Sequence, residues 1–231
     1  MSLIWQGRFF VLFQAIVEAF IPRSLGGLNK QIFYKLCSSG FEIPNAEHAN
    51  GVEIVLGTES SVVEIVRDLY SGDSEALKFY ENFYRNGIEA WIARSGGKVV
   101  GVVWLYTGKY LANWGGYDAW LLQVEIEPTA KFVANVFVDP LWRSKKIFRT
   151  IIAHCVEVYS GNSFYSCVEE LNSTSVKAHE RIGFRSCAFV YYVRFLQRTY
   201  CIFVIKNVKG YWRRWFRLQC GEAAQISILE K

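Results

Sequence analysis

The fold is decided by the stretch Asn172-Ser173-Thr174-Ser175-Val176-Lys177-Ala178-His179-Glu180-Arg181-Ile182-Gly183-Phe184. A strand over residues 163–168 precedes it, and its Ser173–Arg181 portion has the length and composition of a short helix. Gly183 is a natural helix terminator, because glycine adopts the left-handed conformation without steric cost. Phe184 then opens another strand, so the stretch predicts a compact strand–helix–strand unit.

A second unit lies upstream, where the strand Lys131–Val138 runs into Asp139-Pro140 and then a helix from about residue 145 to 159. A helix start presents free backbone N–H groups and the positive end of the helix dipole. Four cations surround this one: Arg143, Lys145, Lys146 and Arg149. The arrangement suits a pyrophosphate, although on composition alone a solvated cationic helix start is the simpler interpretation.

Outward from these units, residues 52 to 208 predict the element order β-α-α-β-β-β-β-α-β-α-β-β. A hairpin turn at Ser95-Gly96-Gly97-Lys98 joins two of the strands. The predicted fold class is α+β (mixed α/β), with one sheet and helices on both of its faces.

The two motifs together resemble the GNAT superfamily of acyl-CoA-dependent N-acetyltransferases. The second family signature is matched by Asn172, Ser175, His179 and Gly183-Phe184, and the first by Val138-Asp139-Pro140 followed by Arg143-x-x-Lys146-x-Phe148. The resemblance covers residues 52 to about 196. It implies a central, mostly antiparallel sheet that splays open beside the strand ending at Pro140.

The resemblance also implies where acetyl-CoA binds as co-substrate. Backbone groups around Phe137 and Val138 pair with the pantetheine arm like an added strand. Main-chain N–H groups of the loop Arg143, Ser144, Lys145, Lys146, Ile147 and Phe148 cradle the pyrophosphate. Asn172 and Ser175 lie near the thiol end. No metal is expected, because the Cys and His residues show no ligand spacing.

The sequence departs from the family pattern at four positions. Lys146 and Phe148 replace small residues, and Ser144 stands where a glycine is common, although glycine permits close approach to phosphate. His179 replaces the usual Tyr proton donor. Imidazole can protonate a thiolate, because its pKa lies nearer neutrality than that of phenol; a helix-surface His is the alternative.

Glu125 is the first candidate for the base that deprotonates the amine, with Glu127 and Glu169 as alternatives. Glu125 and Glu127 share one face of their strand by alternation. Aromatic side chains at Trp104, Tyr106, Trp114, Tyr117 and Trp120 are candidate walls of a sugar pocket or, for most of them, core residues.

Composition and charge limit the classes of protein to which the 231-residue chain can belong. Hydrophobic residues at 52% and charged residues at 20% exclude a disordered chain, a collagen and a small disulfide scaffold. The net charge of +5 is uneven, because residues 51–198 carry sixteen cations and sixteen anions whereas residues 199–231 carry six and two. The predicted divisions are therefore an N-terminal extension (1–50), an acyltransferase domain (51–198) and a basic aromatic tail (199–231).

The sequences of the two terminal segments are compatible with binding to a membrane surface. Residues 3–21 predict an amphipathic helix that lies on a membrane or on the core of the protein. The tail segment 211–217 suits an anionic membrane surface or a nucleic acid, or else forms an edge strand kept soluble by its cations. Six scattered cysteines favour a reduced, cytoplasmic setting, peripheral at the inner face of a membrane if the terminal segments bind lipid.

The function that these observations predict is transfer of an acetyl group from acetyl-CoA to a primary amine of a small molecule, by direct attack on the thioester. A weaker likeness to GNAT members of bacterial cell-surface polysaccharide clusters implies an amino sugar. The alternatives are a degenerate GNAT-fold module that binds a membrane surface or a partner protein without acetyl-CoA turnover, and a transferase that uses another acyl donor. A nucleic-acid partner is not expected, and a homodimer stays open.

Overall fold

A computed structural model describes residues 26–38, 51–113, 121–195, 198–206, 213–216 and 224–227. The helices in these ranges are α1 Glu59–Leu69, α2 Ser74–Arg85, α3 Ile147–Val158 and α4 Ser173–Ile182. The strands are β1 Gly26–Cys37, β2 Glu53–Leu56, β3 Glu89–Ser95, β4 Lys98–Thr107, β5 Lys109–Asn113, β6 Leu121–Glu125, β7 Lys131–Val138, β8 Ser163–Glu169, β9 Arg185–Phe195, β10 Arg198–Lys206, β11 Arg213–Phe216 and β12 Ala224–Ser227.

Local sequence signals set the ends of the helices. The backbone N–H of Thr58 donates to Ser61 Oγ (3.1 Å) in a capping box before α1, and Asp73 accepts from the N–H of Glu75 (2.9 Å) before α2. Gly183 ends α4 with φ +109°, where a side chain would be strained.

The large sheet of the described residues has the order β11-β10-β9-β1-β8-β7-β4-β3-β2. All of its neighbouring strands run antiparallel except the parallel pair β7 and β8. A smaller sheet holds β12, β6 and β5. The predicted mixed α/β class with a mostly antiparallel sheet is confirmed.

The strand β1 has a position that the sequence did not indicate. It lies inside the large sheet, antiparallel to β8 on one side and to β9 on the other. Phe33, Tyr34 and Leu36 of this strand are buried. Part of the predicted N-terminal extension is thus integral to the sheet, and the domain boundaries at 50 and 198 remain a prediction.

Two apolar layers sandwich the sheet. One face packs against α1 and α2 through a cluster that includes Val62, Ile65, Trp104 and Phe132. The other face packs against α3 and α4 through a cluster that includes Ile147, Ile151, Ile182 and Phe184. Helices cover both faces as expected, because each amphipathic helix buries its apolar stripe on the sheet.

A polar network fixes the start of β7. Lys131 is buried, and its Nζ donates to Glu89 Oε1 and to Thr107 Oγ1, both at 3.0 Å. Tyr159 donates to the other oxygen of Glu89, and Lys131 Nζ lies 4.1 Å from the centre of the Tyr159 ring. These contacts tie the first residue of β7 to β3, β4 and the end of α3.

The terminal segments are described only in part. The predicted helix over residues 3–21 lies outside the described residues. Residues Arg213–Phe216 of the basic tail form β11, the last strand of the large sheet, paired with β10. Among the described helices, none combines the length and the apolar character that a membrane span requires.

Candidate functional site

The parallel strands β7 and β8 part from each other after three residue pairs. Their ladder joins Lys131 to Phe164, Phe132 to Tyr165 and Val133 to Ser166, and then stops. Both strands continue beyond that point with their outer neighbours, since Val138 still pairs with Gly101 on β4 and Glu169 with Gln31 on β1. The divergence leaves a wedge between residues 134–138 of β7 and 167–169 of β8, which we call the β7–β8 gap.

A bulge in β7 lies where the gap opens. Asn135 has φ +47°, and the register between β4 and β7 shifts between Val102 and Trp104. The Asn135 side chain is hydrogen-bonded to the Tyr106 hydroxyl. A β-bulge bends a strand and increases its twist, which accounts for β7 turning away from β8 at this residue.

The loop after β7 keeps the backbone conformation expected of a glycine-containing phosphate loop. Ser144 has φ +65° and Lys146 has φ +62°, both in the left-handed region. Glycine reaches that region freely, whereas other residues pay a steric cost there. Two of the three loop positions at which the sequence departs from the family pattern, Ser144 and Lys146, therefore retain the geometry of glycine.

The loop and the first turn of α3 also present backbone donors. The first backbone hydrogen bond of the helix runs from Thr150 N–H to Lys146 C=O (2.9 Å), so the N–H groups of residues 147–149 have no intrahelical partner. Arg143, Ser144, Lys145 and Lys146 are exposed around them. Arg143 Nε donates to Val138 C=O (3.4 Å), and Lys145 Nζ lies 4.2 Å from the centre of the Trp142 ring.

A glycine on β4 sets how closely α3 approaches the sheet. A Cβ added to Gly101 would lie 2.8 Å from Ile147 Cγ2, at the first residue of α3. Gly101 also pairs with Val138, the last residue of β7. Its missing side chain thereby lets the start of α3 lie against the open end of the β7–β8 gap.

The motif residues on α4 form one chain of hydrogen bonds. Asn172 Oδ1 accepts from the N–H of Ser175 (3.1 Å) and caps the helix. His179 Nδ1 lies 2.8 Å from the carbonyl oxygen of Ser175, and His179 Nε2 lies 3.0 Å from Ser166 Oγ on β8. The predicted residues Asn172, Ser175 and His179 are thus brought together, and a fourth residue, Ser166, joins them.

His179 is enclosed by aromatic rings. Its ring centre lies 5.6 Å from that of Tyr34 in a stacked arrangement, 4.9 Å from Phe148 and 5.2 Å from Phe184. The residue is 4% exposed, which excludes the surface position considered from the sequence. Burial lowers the pKa of His179 to about 4, so its imidazole is neutral at pH 7.

The Phe148 side chain has a clear location. It is half-buried, packs against the core under α3 and α4, and contacts His179. The first residue of α3, Ile147, is buried beside it. The bulky residue at position 148 therefore points its ring toward the core of this face.

The three candidate carboxylates differ in their surroundings. Glu125 ends β6, where it pairs with Lys109, and its side chain lies outside the described residues. Glu127 Oε1 accepts from the Tyr165 hydroxyl (2.8 Å) and lies 3.9 Å from Lys35 Nζ. Glu127 Oε2 is buried, and no described residue donates to it. Glu169 is exposed at the end of β8.

The predicted aromatic candidates that the structure describes are core residues. Trp104 is fully buried, with its ring stacked 5.0 Å from that of Tyr80, and Tyr106 is buried beside Phe83. Burial raises the pKa of Tyr106. Trp114, Tyr117 and Trp120 lie outside the described residues. Within the described ranges, no cluster of His, Cys, Asp and Glu is placed to hold a metal ion.

Sequence reasoning missed two residues of this region. Ser166 interrupts the apolar face formed by Phe164 and Val168, and a lone polar residue on such a face is a signal that can be seen in the sequence. Tyr34 carries no such signal, because its contact with His179 depends on the insertion of β1 between β8 and β9.

The region fits a phosphopantetheine thioester such as acetyl-CoA. The β7–β8 gap offers an edge of backbone to an extended arm, and the loop at its open end offers N–H donors and cations to phosphate. Phe137 and Val138 lie on that edge, and both are half-buried. Extended chains and anions are the two ligand types that such groups bind.

Comparison with known proteins gives the same family as the motifs. A family model described as the acetyltransferase (GNAT) family matches residues 60–184, more than half of the chain. A search of curated proteins finds no match.

Solved structures resemble the chain in fold. A functionally unknown conserved protein from Staphylococcus epidermidis has a TM-score of 0.55 at 15% identity, covering 79% of this chain and 66% of its own. A Drosophila protein has a TM-score of 0.51 at 9% identity, covering 79% of this chain and 57% of its own. The chain thus spans less than two thirds of either.

A third similar structure is a glucosamine N-acetyltransferase region of a fungal multi-domain beta-N-acetylglucosaminidase. Its TM-score is 0.52 at 16% identity, and the match covers 76% of this chain and 22% of the fungal one.

Proposed function

The chain belongs to the acetyltransferase (GNAT) family, and from that premise we propose that it transfers an acetyl group from acetyl-CoA to a primary amine of a small molecule. The observation that carries the proposal is the β7–β8 gap. Its parallel ladder ends after three pairs although both strands continue. A strand edge freed in this way supports binding of an extended pantetheine arm by backbone hydrogen bonds.

Different residues of the chain bind different parts of the acetyl-CoA donor. Phe137 and Val138 hold the pantetheine arm through backbone groups of β7. The loop 143–148 holds the pyrophosphate through N–H groups, and its cations add charge. When bound, the thioester supplies the acetyl carbon, to which the amine nitrogen bonds as the carbon–sulfur bond breaks.

Two proton transfers complete the balance of the reaction. The attacking nitrogen loses a proton to a base, for which we keep Glu125 as the first candidate, with Glu127 and Glu169 behind it. The sulfur leaves as a thiolate and takes up a proton. The resemblance assigned that donation to His179.

The acceptor that we propose is an amino sugar, from the likeness to enzymes of cell-surface polysaccharide clusters. A lipid-linked sugar would give the N-terminal segment 3–21 and the basic tail a role at a membrane surface. The alternative of a binding module without turnover is the weaker one, because the loop keeps its left-handed residues at Ser144 and Lys146.

The decisive experiment is a titration of thermal stability with acetyl-CoA, followed by thiol release with a panel of primary amines including glucosamine. A ligand at 100 times its Kd stabilises a protein by about 2.7 kcal/mol. Absence of stabilisation at millimolar acetyl-CoA would overturn the proposal. Stabilisation without thiol release for any amine would favour the binding module.

A further inference from the structure

The His179 side chain joins the parts of the structure that form the donor site. It projects from α4, hydrogen-bonds Ser166 on β8, and contacts Tyr34 on β1, Phe148 on α3 and Phe184 just before β9. Ser166 belongs to the last pair of the parallel ladder, at the closed end of the β7–β8 gap. Phe148 lies in the first turn of α3, at the end of the loop 143–148, which we call the phosphate loop.

The hydrogen bonds of His179 define which ring nitrogen carries the proton. The carbonyl oxygen of Ser175 can only accept, so Nδ1 at 2.8 Å must donate to it. In the neutral ring the other nitrogen, Nε2, is then bare and accepts the hydroxyl proton of Ser166 at 3.0 Å. A bare Nε2 whose lone pair is already engaged has no proton to give to a thiolate.

We propose that His179 is a positioning residue rather than the proton donor of the reaction. It fixes the position of the phosphate loop relative to the closed end of the β7–β8 gap. The inference rests on the proposed function and deepens it. One contact of the ring fixes Ser166, where β7 and β8 part, and another fixes Phe148, where the loop enters α3. Donor-site geometry then depends on one neutral, buried ring.

Two variants separate positioning from proton donation. His179→Phe keeps the ring shape and loses both hydrogen bonds, whereas the carbonyl oxygen of His179→Gln can replace Nε2 as acceptor for Ser166. We expect His179→Phe to weaken CoA binding about tenfold and to raise the KM for acetyl-CoA. We expect His179→Gln to restore most of both, with a pH profile of kcat like that of the wild type.

Proton donation makes the opposite prediction for the rescue variant. Glutamine cannot donate a titratable proton, so both variants would lose kcat by about 10²–10⁴-fold together with one limb of the pH profile. That result would overturn the positioning role. His154→Phe, at a half-buried histidine of α3 that faces Trp91, is the matched control, and it should leave CoA affinity unchanged.

Two further measurements require no turnover. Nitrogen-15 NMR of the imidazole at pH 7 should show a protonated Nδ1 and a bare Nε2, and a protonated Nε2 would overturn the proposal. If His179→Phe does not fold, Ser166→Ala removes the same hydrogen bond from the β8 side and should weaken CoA binding as well. Wild-type protein that fails to bind CoA overturns the proposed function, whereas unchanged CoA binding in all of these variants overturns only the positioning role.

Discussion

Ser166 on β8 donates a hydrogen bond to Nε2 of His179 on α4 across 3.0 Å, and both side chains are buried. This bond crosses from the sheet to the helix layer at the point where the parallel ladder ends. Both side chains are shielded from solvent. Because Nε2 can accept this hydrogen bond only when it carries no proton, the bond depends on the imidazole staying neutral.

The buried imidazole predicts a pH dependence of stability. The pKa of His179 is about 4 in the folded state, below its ordinary value of 6.5, so the unfolded state binds the proton more readily. Stability is fully present above pH 6.5 and falls as the pH drops toward 4, by roughly 2 kcal/mol at pH 5 from this group. Urea unfolding of the wild type and of His179→Phe at pH 7.5 and 5 measures it. An equal loss in both proteins would contradict the prediction.

The close approach of α3 to Gly101 predicts a steric effect on donor binding. In Gly101→Ala the new Cβ lies 2.8 Å from Ile147 Cγ2, so the first turn of α3 must move away from the gap. We expect CoA affinity to fall about tenfold and stability to fall by about 1–2 kcal/mol. Calorimetric titration with CoA checks the affinity.

The double variant Gly101→Ala with Ile147→Ala is the control for that clash. It removes the Cγ2 atom, so CoA affinity should recover although stability does not, because the core then contains a cavity. Failure of affinity to recover would show that the loop depends on Gly101 in another way.

The left-handed residues of the phosphate loop predict stabilising substitutions. Ser144→Gly and Lys146→Gly each relieve a positive φ, and we expect gains of about 0.5–1 kcal/mol after the entropy cost of glycine. Lys145→Gly is the matched control. Lys145 is not among the residues with positive φ, so its replacement should destabilise. Thermal unfolding measures all three variants, and a gain at position 145 would refute the strain argument.

The buried ion pair at the start of β7 predicts an unequal cost for two lysines. Lys131→Met leaves the Glu89 carboxylate without its cation in a partly buried site, and we expect a loss of about 3 kcal/mol. Lys78→Met removes an exposed pair with Glu75 and should cost less than 0.5 kcal/mol. Chemical denaturation compares them, and similar losses would contradict the buried role.

The candidate base predicts a difference among three glutamates. Glu125→Gln should lower the amine-dependent kcat by at least 10²-fold without changing CoA affinity, because a missing base affects the proton transfer rather than donor binding. Glu127→Gln and Glu169→Gln are the isosteric controls. A loss at Glu127 in place of Glu125 would assign the base to the carboxylate whose Oε2 has no described donor.

Most elements of the central region follow from local patterns. The predicted limits of β7 agree with the structure, and those of β8 and α4 agree within one residue. The reason is that capping side chains, turn glycines and apolar periodicity act over a few residues. The predicted element order contains no strand at the position of β5.

The sequence by itself determined the order of helices and strands from β2 to β9 except for β5, the family, and the identity of the motif residues Asn172, Ser175 and His179. These depend on residue types at short spacing, which a single chain displays directly. The tertiary structure alone decided that β1 enters the sheet beside β8, that His179 is a buried neutral acceptor, and that Ser144 and Lys146 keep a glycine-like backbone. Burial and strand pairing depend on residues far apart in the chain, so local pattern carries little information about them.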